Sequence, residues 1–62
     1  MTYTPQIGDR VIFKDVLGYG PYLSIADGTT GTVEQPVALC GILVRWDDGR
    51  TISVWAECLK RL

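Results

Sequence analysis

The chain has no histidine and only two cysteines, Cys40 and Cys58. A tetrahedral zinc site takes four Cys or His ligands, so one such chain does not supply one. The same absence removes the usual base for a nucleophile. Ser24, Ser53, Cys40 and Cys58 have no imidazole to activate them, and a reactive thiol needs an electropositive or histidine-paired setting. Charge of one sign is also scarce. Six Lys and Arg stand against seven Asp and Glu, for a formal net charge of −1 and a pI of about 5.0. Proteins that coat nucleic acid through its phosphates are usually basic, because Lys and Arg must replace condensed counterions. The balance here argues against such coating and leaves room for one small basic patch. Apolar runs such as Val11–Phe13 and Ile42–Val44 are far too short to span a bilayer. Residues Met1 to Gln6 show no basic region leading into an apolar run, so no signal peptide is expected, and cytoplasm is the expected compartment.

No helix-period stretch, repeat or low-complexity segment stands out, and 62 residues predict a single domain over 1–62. A domain of this size buries only about 60% of its unfolded surface. Apolar residues make up 47% of the chain, ample for a core, so some apolar surface is expected to serve an interface.

The strongest positive signal is Gly41 to Trp55, where two alternating apolar segments flank Asp47-Asp48-Gly49. Asp-Gly is a hairpin signal because a tight primed turn needs positive φ at both central residues. A two-residue turn at Asp48-Gly49 pairs Asp47 with Arg50 and sets Cys40 opposite Glu57. Cys58 then lies one position from the partner of Cys40. A bridge requires a bulge or the following turn to bring the Cα atoms within about 7 Å, and two buried free thiols are the favoured state in a reducing compartment.

Further elements are expected on either side of the hairpin. Arg10 to Lys14 reads as a first strand with Val11 and Phe13 inward and Ile12 outward. Asp15 to Gly28 is a long connection, too apolar for a floppy linker and expected to fold back over the core. Thr29 to Glu34 reads as a second strand, ended by Gln35-Pro36 because proline cannot donate to a ladder. Ala56-Glu57-Cys58 reads as one 3₁₀ turn, followed by a closing strand Leu59 to Leu62. The expected core is Val11, Phe13, Val33, Ile42, Val44, Trp46, Ile52, Val54 and Leu59.

Three segments carry a resemblance: Gly8-Asp9-Arg10-Val11, Gly28-Thr29-Thr30-Gly31-Thr32-Val33 and Leu43-Val44-Arg45-Trp46-Asp47-Asp48-Gly49. They resemble the SH3-like barrel superfamily in its KOW and Tudor-like branch, over most of the chain from Gly8 to Leu59. The resemblance implies an all-β, five-stranded SH3-like barrel with a long first loop and a 3₁₀ turn before the last strand. Physics also accounts for each segment without a binding role. Gly31 permits close approach at a barrel corner, Gly49 supplies positive φ, and Asp47 can bond the turn backbone. Asp47 and Asp48 share one exposed setting, unlike an acid–base pair.

The superfamily hosts many functions. The leading expectation is a non-enzymatic protein-binding or accessory-subunit module with no cofactor, acting with a protein partner or by self-association. In SH3 and Tudor domains, loop aromatics form a groove for polyproline or a cage for a methylated cation. Tyr19 and Tyr22 in the long loop, with outward Trp55, are the expected protein-binding residues, whereas Trp46 alternates with Val44 and belongs to the core. Ile12 and Leu43 share the outward parity. A second expectation is a KOW-like nucleic-acid binder using Arg45, Arg50, Lys60 and Arg61, although Asp47, Asp48 and Glu57 interleave with them. The chain is also similar, more remotely, to the small pore-forming type II dihydrofolate reductases. Their Val-Gln-Ile-Tyr strand corresponds to Thr51-Ile52-Ser53-Val54, which lacks the glutamine and the tyrosine.

Overall fold

The computed structural model describes residues 4–38 and 41–62, with positions 37 and 38 described by backbone alone. Five strands form: β1 Arg10–Phe13, β2 Thr30–Ala38, β3 Gly41–Trp46, β4 Thr51–Val54 and β5 Leu59–Arg61. They make one antiparallel sheet in the order β4-β3-β2-β1-β5. The sheet does not close into the expected barrel, because β4 and β5 remain its two edges. The described residues still measure 27 × 25 × 24 Å. A flat single layer would be a slab, so the twisted sheet curls around its own apolar face.

That face is the core. Val11, Phe13, Val33, Ile42, Val44, Trp46, Val54 and Leu59 are buried as the alternation predicts. Phe13 meets Trp46 edge to face, with centroids 5.9 Å apart, a favoured aromatic arrangement. Ile52 departs from expectation: it is only partly buried, because β4 is an edge strand with no further strand paired beyond it among the described residues. Ile25 and Cys58 complete the core from outside the strands. Cys58 is a free thiol whose pKa burial pushes up. Cys40 lies outside the described residues, and so does its expected pairing.

The hairpin is one residue longer in its loop than expected. Val44 pairs with Ile52 and Arg45 with Thr51. Trp46, rather than Asp47, then faces Arg50, donating its amide to Arg50 O at 2.7 Å. Gly49 N–H closes the turn onto Trp46 O at 3.0 Å. Within this loop only Gly49 takes positive φ, +97°. A three-residue loop with one left-handed glycine suits Asp48, which a two-residue primed turn would force to positive φ.

Strand β2 is longer than expected and runs through Pro36. Its register against β3 shifts between Val33 and Gln35 and again between Gln35 and Ala38. Pro36 sits in that interrupted stretch, where a missing N–H interrupts no regular ladder. Nearer its start, Gly31 pairs with Val11 on one side and Trp46 on the other. A Cβ there would lie 2.8 Å from Arg45 O and from Val44 Cγ1, so only glycine fits this approach. No helix among the described residues is long and apolar enough to cross a membrane.

Candidate docking surface

The connection from β1 to β2 is tied at its base. Gly28 N–H donates to Phe13 O at 2.8 Å, Phe13 N–H to Thr29 O at 2.8 Å, and Asp15 N–H to Asp27 Oδ1 at 2.8 Å. Between these ties lies a single helical turn, α1 Gly20–Leu23, which the sequence pattern does not announce. Pro21 presets φ at its start, and Ser24 ends it in a left-handed conformation at φ 60°. Ile25 N–H then returns to Gly20 O at 2.9 Å. Ile25 is buried in the core and Leu23 packs against it. Anchored on that side, the turn leaves its aromatics facing outward.

Tyr19 and Trp55, two of the expected protein-binding residues, lie against one another. Their rings are 4.9 Å apart, tilted by 36°. Trp55 follows β4 and caps the 3₁₀ turn η1 Ala56–Cys58, where Cys58 N–H bonds Trp55 O at 3.0 Å. The pair is stacked but not covered: Tyr19 is 44% exposed and Trp55 43%. Tyr22, three residues on from Tyr19 and so on the same side of the turn, is 87% exposed. Val16 and Leu17 are exposed as well, and their backbone faces the Cys58 thiol. One loop and the start of η1 therefore present an apolar, aromatic shelf. Ile12 and Leu43, also outward by parity, are partly covered and stand apart from it on β1 and β3.

Behind α1 lies an open depression of about 400 Å³, with Asp15 and Asp27 in its wall. Oδ1 of Asp15 is buried with no hydrogen-bond partner among the described residues.

The expected basic residues are dispersed. Arg45 lies 3.6 Å from Glu34, and Arg50 pairs with Asp48 at 2.6 Å. Lys60 and Arg61 are exposed on the other edge strand, beside Ile12 and Val11.

One polar cluster has no counterpart in the sequence reading. Arg10 grips both Asp47 oxygens, at 2.8 and 2.7 Å, and also bonds Thr32 at 2.9 Å. Thr30 donates its hydroxyl to the same carboxylate. Asp47 therefore clamps β1 and β2 to the hairpin, and Asp48 performs the turn bonding expected of Asp47, accepting from Arg50 N–H at 3.0 Å. The Arg10 guanidinium, then the Thr30 hydroxyl, hold the Asp47 carboxyl far below the usual range. Arg10 in turn has its pKa raised by that bond to Asp47. Both charges are thus engaged in holding the fold. The pairing joins residues 37 apart in sequence, which no local pattern marks. Among the described residues no cluster of three or more His, Cys, Asp or Glu side chains is arranged to hold a metal.

Compared with known proteins, the chain matches no family model, no curated protein and no solved structure.

Proposed function

We propose that this chain is a small, non-enzymatic protein-binding module of the SH3-like type, and that it docks an extended apolar segment of a partner on the Tyr19–Trp55 shelf. The carrying observation is the stacked pair itself, two large rings in contact yet both more than two-fifths exposed, with Tyr22 exposed three residues along the same loop. Aromatic rings fixed by packing lose little entropy on binding and dominate interface energetics. The order β4-β3-β2-β1-β5, the ordered β1–β2 loop and the 3₁₀ turn before β5 favour an SH3-like reading of the open sheet.

Two rings lying tilted on one another make a platform rather than a box. A platform suits an extended, proline-containing segment, whose preformed backbone loses little freedom on docking. A methylated cation prefers rings around it on several sides. The carboxylates of Asp15 and Asp27 in the neighbouring depression favour a segment that brings a hydrogen-bond donor or positive charge next to its apolar residues.

The test is binding of a panel of extended peptides, followed by Trp fluorescence. Proline-containing apolar peptides should bind, and Trp55→Ala and Tyr22→Ala should each weaken them about tenfold or more, as interface aromatics do. Unchanged affinity in both variants would remove this surface assignment. A ligand that proves to be RNA or DNA, with affinity falling steeply as salt rises, would replace the reading with the nucleic-acid one built on Arg45, Arg50, Lys60 and Arg61.

A further inference from the structure

We propose that a second copy of this chain pairs with edge strand β4, antiparallel, so that two sheets join into one across a two-fold axis. The inference goes beyond the docking shelf and does not depend on it.

The two edges of the sheet are built differently. Strand β5 carries Lys60 and Arg61, both exposed, and edge charges of this kind block pairing with another strand. Strand β4 reads Thr51-Ile52-Ser53-Val54 and carries no charge at all. Arg50, just before it, is already engaged by Asp48. The hydrogen-bond parity of β4 follows from the hairpin. Trp46 and Arg50 are a bonded pair, and bonded pairs recur at every second residue of an antiparallel ladder. Ile52 and Val54 therefore spend their backbone groups on β3, and Thr51 and Ser53 direct theirs outward from the sheet edge.

That outward edge is self-complementary. With the two-fold axis at Ile52, Thr51 of one copy falls opposite Ser53 of the other, and the reverse. Each such pair exchanges two backbone bonds, about four in all. The same register sets the hydroxyl residues Thr51 and Ser53 side by side, a favourable cross-strand pair. It also brings the two Ile52 side chains together on the apolar face. Ile52 is the core-face residue that the single sheet leaves partly exposed, and the second copy covers it. An isologous contact of this sort closes on itself and stops at two chains. Four residues of edge bury less than the roughly 1,600 Å² of a standard interface, so dissociation constants from micromolar to millimolar are expected.

Sedimentation velocity across that concentration range tests the proposal, with amide exchange at Thr51 and Ser53 as a second reading. The mass should rise from one chain to two with concentration, and exchange at both amides should slow as it does. Ser53→Lys places a charge on the edge without touching the β3 ladder. It should raise the dimer dissociation constant about tenfold or more while the circular dichroism spectrum stays unchanged. Tyr22→Ala, on the shelf, should leave dimerisation as it is. A single-chain mass at millimolar concentration overturns the proposal, and so does a dimer that Ser53→Lys leaves intact or whose Thr51 and Ser53 amides exchange as fast as in the monomer. None of these results bears on peptide binding at Trp55, so the two readings fail separately.

Discussion

At the residue scale, two positions decide how the hairpin meets the rest of the sheet. Gly31 is required by space, not by backbone angle, since a Cβ would press on Arg45 O, Val44 Cγ1 and, at 2.9 Å, Trp46 Cε3. Gly31→Ala should destabilise the fold by about 1–3 kcal/mol, the usual cost of overpacking, read from urea denaturation. An unchanged midpoint would mean that β2 and β3 separate more easily than the geometry indicates. Asp47 is the second position. Its folded pKa lies below its unfolded value, so its stabilising contribution is complete above the unfolded pKa of about 3.9 and declines as pH falls through that value toward the folded one. Asp48, held down by Arg50, acts in the same direction. The urea midpoint should therefore fall on acidification below about pH 4, and fall less steeply in Asp47→Asn. Equal slopes would show that the Arg10 clamp adds nothing in solution. The need for glycine at 31 was legible in the sequence; the clamp was not, because a lone Arg in a strand carries no mark of its distant partner.

At the scale of elements, alternation and turn chemistry read through to structure wherever strands are regular. The core faces of β1 and β3 and, in β4, Val54 follow from parity, and the 3₁₀ turn and the short β5 stand where the sequence sets them. Three departures share one cause, a tertiary contact overriding a local rule. Pro36 should end a strand, yet β2 continues because irregular pairing with β3 absorbs it. Asp-Gly should make a two-residue turn, yet the loop takes Asp47 as well, whose carboxylate reaches Arg10 and Thr30. The α1 turn is a single turn of four residues, too short for any helical period to show, and is held by Ile25 in the core. Asp27 is the visible strut of that loop, bonded to Asp15 N–H. Asp27→Ala should speed amide exchange at Asp15 and across 20–25 several-fold while leaving β3 and β4 protected, because loops open locally at lower free energy than the sheet. Uniform change across the whole chain would show that the loop unfolds only with the sheet.

At the scale of the whole molecule, a small open sheet uses its one apolar face for a core and, among the described residues, leaves Tyr19, Tyr22 and Trp55 exposed on one loop and at the start of η1. Trp55 was legible as outward from its parity, and Tyr19 and Tyr22 from their place in a long ordered loop. Their relative arrangement was not, because it depends on where α1 seats against Ile25. The central claim is that this shelf is where the molecule meets a protein partner. The most direct measurement is a two-dimensional amide NMR titration of the wild-type chain with a proline-containing apolar peptide. Shifts concentrated at Tyr19, Tyr22, the Trp55 indole and the neighbouring residues 15–17 are the predicted result. Shifts absent there, or appearing only at Arg45, Arg50, Lys60 and Arg61 when a nucleic acid is added instead, would contradict it.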